Sequence, residues 1–344
     1  MPDSQIKTKG DGENLSEGIP GAYPINILRN FYLNWRRILA SSSAGFWLFI
    51  SLAFFGSMIW AKSRDPFDRI WFTLKTPHYG KVKGVAVLPK VDSKRRSQSV
   101  ATGLPVVYYV YGSGGNLIHC GNELRQFAEL GMAAVAIEYD QMDESAFPEQ
   151  FTALREYVAK QKWAIANAEP GTRSAECWIG FSMGANRTLD YLLKTVGESP
   201  TATGGSPVLP LPRLYVRLAG GAAASRASAP DSFSKSAAHL RDAATKVLLV
   251  HGENDEIFPV AEAKQVAELF QTNGVATDLK ILPGKRHAFD SDRVVVMRNV
   301  GEYVKAQLTP DHPQPEFPVT KNHPFSFVLP LHFSGRGSGF IYVG

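Results

Sequence analysis

Apolar positions change their spacing along this chain, and each change predicts a different kind of structure. Residues 1 to about 28 are polar and carry Gly10, Gly12, Gly18, Pro20 and Gly21, and a basic flank ending on Arg36-Arg37 follows to residue 37. Such a stretch cannot bury enough apolar surface to order itself, so a flexible arm is expected. Residues 38–61 then run without an ionisable side chain and include Phe46, Trp47, Leu48, Phe49, Ile50, Phe54, Phe55 and Trp60. At 1.5 Å per residue, 24 helical residues reach roughly 36 Å, enough for a hydrocarbon core of about 30 Å. A cleaved leader would want small residues before its cut, where this chain has Ile59-Trp60. A single transmembrane helix over 38–61 is therefore expected, with the lipid bilayer as its partner. Arg29, Arg36 and Arg37 before it nearly balance Lys62, Arg64, Arg69 and Lys75 after it, so the positive-inside rule leaves the side of the remaining chain open.

From residue 69 onward, short apolar runs alternate with longer amphipathic ones. Residues 71–75 and 81–88 predict a leading hairpin with Gly80 in its turn. Strands are predicted over 105–111, 132–138, 177–181, 213–218, 246–251 and 277–282. Helices are predicted over 117–130, 151–168, 184–195, 260–271 and 292–308. Strands alternating with helices imply βαβ units, hence an α/β fold with a mainly parallel sheet covered by helices on both faces. After Leu308 come Pro310, Pro313, Pro315 and Pro318, then a strict alternation at Phe325, Phe327, Leu329, Leu331 and Phe333. That tail, 309–344, predicts a strand with one apolar face, which Pro330 confines to a sheet edge, packed back on the body. The expected organisation is an arm (1–37), an anchor (38–61), a catalytic body (62–308) and the tail.

Composition narrows the function. Lys and Arg total 37 against 32 for Asp and Glu, a formal charge of +5. That surplus is mild and scattered, so no nucleic-acid partner is expected. Two cysteines, Cys120 and Cys177, make neither a disulfide framework nor a zinc site, and both fall in apolar surroundings that suggest core filling. No metal and no cofactor is implied.

The chemistry gathers at the C-terminal ends of predicted strands. Gly180-Phe181-Ser182-Met183-Gly184 is a G-x-S-x-G sequence between a short apolar strand and a helix. A nucleophile elbow needs that setting, because its serine takes a strained conformation and its flanking positions must be nearly free of side chain. A serine hydroxyl becomes nucleophilic only when a base takes its proton. His251-Gly-Glu-Asn-Asp255 ends one strand and Pro283-Gly-Lys-Arg-His287 follows another, so an acid and a histidine come after the serine in that order. Glu253, Glu256 and Asp290 are alternatives to Asp255 as the orienting acid; Asp255 could also simply cap the helix after Pro259. His251 reads as structural.

Together, G-x-S-x-G at Ser182, H-G-x-x-D-x-x-x-P at Asp255 and P-G-x-x-H at His287 resemble the α/β-hydrolase superfamily, within it the dienelactone hydrolase and prolyl oligopeptidase-related branch. The resemblance covers about residues 105–308. It implies a Ser182–His287–Asp255 triad and acyl transfer through an acyl-enzyme. Dienelactone hydrolases commonly carry a cysteine nucleophile, so Ser182 argues against that activity. Val110-Tyr111-Gly112-Ser113-Gly114-Gly115-Asn116 supplies the loop for an oxyanion hole, made by the N–H groups of Met183 and Ser113 beside Gly112. The family's usual first residue there is histidine; some prolyl oligopeptidase relatives use a tyrosine hydroxyl, which makes Tyr111 an alternative donor. Asp140, Asp143, Glu144 and Glu149 follow another strand, and a solvated acidic loop is the plainer account of them than a filter against anions. The expected function is a membrane-anchored serine esterase acting on a small ester; a peptidase or amidase on the same triad and a catalytically inactive binding module are the alternatives.

Overall fold

Unbroken apolar runs build the middle of the sheet. In a computed structural model, β3 (Val106–Val110), β4 (Ala133–Ile137) and β6 (Leu214–Leu218) are buried at every position, as strands covered on both faces must be. The described residues are 50–52, 54, 67–90, 103–165, 175–197, 210–222, 230–309, 328–331 and 339–342. The chain divides into two units, Met1–Asp65 and Pro66–Gly344.

The second unit holds an eight-stranded sheet in the order β1-β2-β4-β3-β5-β6-β7-β8. The remaining strands are β1 (Phe67–Thr76), β2 (Gly80–Pro89), β5 (Glu176–Phe181), β7 (Lys246–Gly252) and β8 (Thr277–Leu282). β1 and β2 form the predicted hairpin, β2 also runs antiparallel to β4, and every other neighbouring pair is parallel. Of the edge strands, β1 alternates in burial from Arg69 onward, and β8 is only half-buried over most of its length, where the middle strands β3, β4 and β6 are buried throughout. From β3 the chain goes first to one side, to β4, and then to the other, to β5. The crevice beyond the C-terminal ends at such a reversal is where open α/β sheets bind ligands.

Helices cross between the parallel strands: α1 (Gly121–Glu129), α2 (Ala146–Ala159), α3 (Met183–Gly197), α4 (Pro230–Asp242) and α5 (Val260–Thr272); α6 (Arg293–Leu308) follows β8. Three depart from expectation. α1 starts at Gly121 because Asn116 Oδ1 accepts the N–H groups of Ile118 and His119, each at 2.9 Å, and holds a turn there instead. α2 starts early, with Pro148 in its first turn, where the missing N–H has no helical partner to lose. It ends at Ala159 because the chain turns back to bridge Leu104 with Ala164; Leu104 N donates to Trp163 O at 2.8 Å and Ile165 N to Leu104 O at 3.0 Å. Residues 166–168 of that predicted helix lie outside the described residues. α4 was not predicted, yet parallel β6 and β7 require a crossover, and Phe233, Ala237 and Leu240 give it a buried stripe.

The tail strand is β9 (Val328–Leu331), paired antiparallel with β10 (Gly339–Tyr342) in a sheet of its own and not on the edge of the main one. The predicted span 38–61 lies outside the described residues except for Ile50, Ser51, Leu52 and Phe54, which are helical. Among the described residues no helix is long and apolar enough to cross a membrane.

Candidate active site

Ser182 stands between β5 and α3 with φ of 53°, a left-handed conformation that a side chain adopts only under constraint. Its N–H donates to Leu218 O at 2.9 Å, and its carbonyl accepts from Ala185 N and Asn186 N to start α3. The flanking glycines are required: a methyl at Gly180 would strike Ala185 Cα, and one at Gly184 would strike the carbonyl oxygens of Val110 and Tyr111. The elbow thus packs directly against the end of β3. Ala219, Phe289 and Asp290 also have positive φ. These residues follow β6 and β8 at the same edge of the sheet, while Ala244, with φ of 53°, precedes β7 at the opposite edge.

His287 bridges Ser182 and Asp255. Its Nε2 lies 2.8 Å from Ser182 Oγ, and its Nδ1 lies 2.8 Å from Asp255 Oδ2 and 3.0 Å from Oδ1. Asp255 Oδ1 also accepts the N–H groups of Ile257 and Phe258, each at 2.9 Å, and its side chain is fully buried. One carboxylate therefore receives both the N–H groups just ahead of α5 and the His287 imidazole, so the capping and orienting readings of Asp255 do not exclude each other. The alternative acids are engaged elsewhere: Glu253 Oε2 accepts Gly284 N at 2.8 Å, Glu256 pairs with Arg286 at 2.9 Å, and Asp290 accepts Arg286 N at 3.1 Å. Asn254 N donates to Lys285 O at 2.8 Å and Glu253 N to Leu282 O at 3.0 Å, tying the acid loop to the histidine loop.

The loop after β3 curls beside the elbow. A methyl at Gly112 would lie 2.9 Å from Ser182 Cβ, so its backbone passes the nucleophile directly. Gln141, from the loop after β4, braces it from behind: its Oε1 accepts Gly114 N and its Nε2 donates to Gly115 O, both at 2.8 Å. Neither Ser113 N nor Met183 N donates in a turn or loop among the described residues. The Tyr111 hydroxyl is buried without a hydrogen-bond partner there, and Tyr139 donates to the Tyr111 carbonyl at 2.7 Å. The acidic loop is structural: Asp140 and Asp143 accept nearby backbone N–H groups, Glu144 pairs with Arg187, and Glu149 with His78. Both cysteines are buried, and burial pushes the Cys120 thiol up to about 12.

Sequence reasoning set His251 aside as structural, and the structure gives it a specific place. Its Nε2 lies 2.8 Å from Phe258 O and 3.2 Å from Asp255 Oδ2. A carbonyl only accepts, so Nε2 carries the proton and donates to Phe258 O, with the Asp255 carboxylate close beside it. Burial lowers the His251 pKa from 6.5; the bond to Phe258 and the charge of Asp255 oppose that, while Arg217 and His287 add to it. A depressed histidine pKa means that the unfolded chain takes up the proton first, so stability falls as pH drops from the unfolded value towards the folded one. The melting temperature is expected to fall as pH drops through the unfolded histidine value near 6.5, and His251→Gln to show a shallower fall. An unchanged pH slope in that variant would count against this assignment.

Sequence reasoning also missed a partly open cavity of about 120 Å³ behind the loop, lined by Tyr111, Gly112, Ser113, Glu123, Phe181 and Arg293 among others. Arg293 Nε pairs with Glu123 Oε1 at 2.9 Å, and its guanidinium lies 4.1 Å from the centre of the Phe181 ring. The same ring lies 5.7 Å from the His287 ring.

Comparison with known proteins agrees with this architecture. Est1E from Butyrivibrio proteoclasticus superposes with a TM-score of 0.50 at 14% identity, covering 69% of this chain and 98% of that one. Carboxyl esterase 2 from the mycorrhizal fungus Tuber melanosporum gives 0.51 at 15%, covering 71% and 88%. The chain has the α/β-hydrolase fold. A putative dipeptidyl aminopeptidase IV from Bacteroides ovatus gives 0.50 at 14%, covering 70% of this chain and 36% of that one. The sequence profile of the prolyl oligopeptidase family matches residues 223–309, a stretch that contains Asp255 and His287 and begins after Ser182. No curated protein matches the chain in sequence.

Proposed function

We propose that this protein is a serine hydrolase that cleaves carboxylic esters through an acyl-enzyme on Ser182. The observation that carries the reading is the unbroken line from Ser182 Oγ to His287 Nε2 at 2.8 Å and from His287 Nδ1 to Asp255 Oδ2 at 2.8 Å. In the first step Ser182 Oγ attacks the ester carbonyl carbon while His287 accepts its proton, and His287 returns that proton to the departing alkoxide. Asp255 holds the imidazole with Nε2 free to accept and stabilises the imidazolium that forms. The N–H groups of Ser113 and Met183 receive the oxyanion, each worth about 3 kcal/mol of transition-state stabilisation. Water, deprotonated by His287, then releases the acid.

The family match over residues 223–309 supports a second reading, a peptidase or amidase on the same residues. The inactive binding module is disfavoured by a serine, histidine and carboxylate that all sit at hydrogen-bond distance. The segment 38–61 is proposed as a membrane tether, supported by the exposure of Ile50, Leu52 and Phe54 on its helical residues.

One experiment addresses these readings. A fluorophosphonate probe is expected to label the carbonate-washed membrane fraction of expressing cells at the mass of this chain, and not in Ser182→Ala. Matched ester and anilide substrates are then expected to separate by rate in favour of the ester. A folded wild type that takes no label would overturn the hydrolase reading, and label confined to the soluble fraction would overturn the tether.

A further inference from the structure

We propose that the cavity beside the oxyanion loop is an acyl subsite for a short, uncharged acyl group bearing a hydroxyl, which makes the protein selective for hydroxyacyl esters. The proposal rests on the serine-hydrolase reading and names the substrate class of that site.

Position comes first. The cavity shares Gly112 and Ser113 with the oxyanion loop, and one of its walls is Phe181, the residue before Ser182. Ser182, Met183 and His287 are not among its lining residues, so the link to the reacting carbonyl runs through the shared Gly112-Ser113 backbone and the Phe181 ring. Benzene occupies an engineered cavity of about 150 Å³, so about 120 Å³ has room for roughly five non-hydrogen atoms.

The polar atoms then select what those atoms are. Glu123 is 8% exposed, and its Oε1 is taken by Arg293 while its Oε2 is buried without a hydrogen-bond partner. The Tyr111 hydroxyl is likewise buried, with the Gln141 side chain beside it; that amide also bonds the loop backbone at Gly114 and Gly115. Buried polar groups are normally satisfied, and these two residues line one cavity. A carboxylate oxygen accepts only, so its ligand must donate, and a phenol can complete the pair from the other side. An alcohol meets both demands.

Charge excludes the ionic candidates. A carboxylate on the acyl chain would face Glu123, and an ammonium would face the Arg293 guanidinium. The pair is neutral as a unit, so a neutral donor suits it best. Arg293 itself stands in the first turn of α6, where the helix dipole disfavours a cation. It is held there by Glu123 and by Tyr109, whose hydroxyl accepts from it at 3.1 Å. A local rule broken and then compensated in this way is characteristic of functional positions. The reaction keeps its balance: the acyl C–O bond breaks, the alcohol leaves with the proton from His287, and a hydroxy acid is released by water.

The test compares p-nitrophenyl 3-hydroxybutyrate with p-nitrophenyl butyrate on the detergent-solubilised full chain. The wild type is expected to favour the hydroxylated ester in kcat/KM by about tenfold or more. Glu123→Gln and Tyr111→Phe, both close in shape to the originals, are each expected to bring that ratio towards one. Reading the ratio cancels any change in the oxyanion hole shared by the two substrates. A ratio near one in a wild type that still labels with fluorophosphonate would overturn the subsite alone. So would a preference that survives both substitutions. A wild type that fails to label would remove the hydrolase reading, and the subsite with it.

Discussion

Ser182→Ala is expected to lower kcat for p-nitrophenyl butyrate by about 10⁴-fold or more, with the melting temperature held. The size of the loss follows from what remains. Without Oγ no acyl-enzyme forms, and the only route left is direct attack by water in the same pocket. The oxyanion donors and substrate binding still supply a residual acceleration over solution, which is why the rate does not fall to the uncatalysed one. The fold has little reason to respond. The Ser182 N–H and carbonyl bonds to Leu218, Ala185 and Asn186 are made by the backbone and persist in alanine. Stopped-flow and steady-state release of p-nitrophenol check this directly. A variant that keeps more than about a tenth of wild-type kcat would mean that another group performs the attack.

Asp255→Asn is expected to cost about 10⁴-fold in kcat with little change in KM. Asp255 presents one oxygen to Ile257 N–H, Phe258 N–H and His287, and the other to His287 and His251. Asparagine offers one oxygen. If that oxygen keeps the two backbone donors, the amide NH₂ faces His287 Nδ1 and forces it to accept. The Nε2 nitrogen must then carry the proton and can no longer take one from Ser182. The same NH₂ would also meet the Nε2–H of His251, donor against donor, so some loss of stability is expected alongside the loss of rate. The contrast between a large fall in kcat and a small shift in KM is the readout. A fall in KM affinity alone would assign Asp255 to binding and not to orientation of the base.

Much of this site could be read from local pattern. Ser182, Asp255 and His287 each sit where an apolar run ends in a short polar or glycine-rich loop, and a strand's C-terminal end is a local property of sequence. The three loops converge because consecutive parallel strands put every such end on one edge of the sheet. What stayed hidden was contact between those loops. Gln141 reaches the Gly114–Gly115 backbone from a separate strand, and nothing in its own neighbourhood announces that. Glu123 and Arg293 are 170 residues apart and meet only because β3 and β8 both deliver their chains to the same edge. A close reading of two residues could have raised them: a buried-phase glutamate near the start of α1, and an arginine opening a helix against its dipole. Each alone has a bland explanation as a surface charge. α4 was missed for a different reason: its stripe of Phe233, Ala237 and Leu240 is interrupted by small and polar residues, so the crossover rule was a stronger guide than the periodicity.

The sequence by itself determined the alternation of strands and helices, the elbow around Ser182, and the order of serine, acid and histidine along the chain. Those follow from short-range sterics and from hydrophobic periodicity, which act over a few residues. Only the tertiary structure decided which of four nearby carboxylates faces His287, that His251 comes within 3.2 Å of that carboxylate, and that a cavity with an unsatisfied acceptor lies beside the loop after β3. Each depends on distances between segments far apart in the chain, and those distances are set by the order of strands in the sheet and by the packing that closes it.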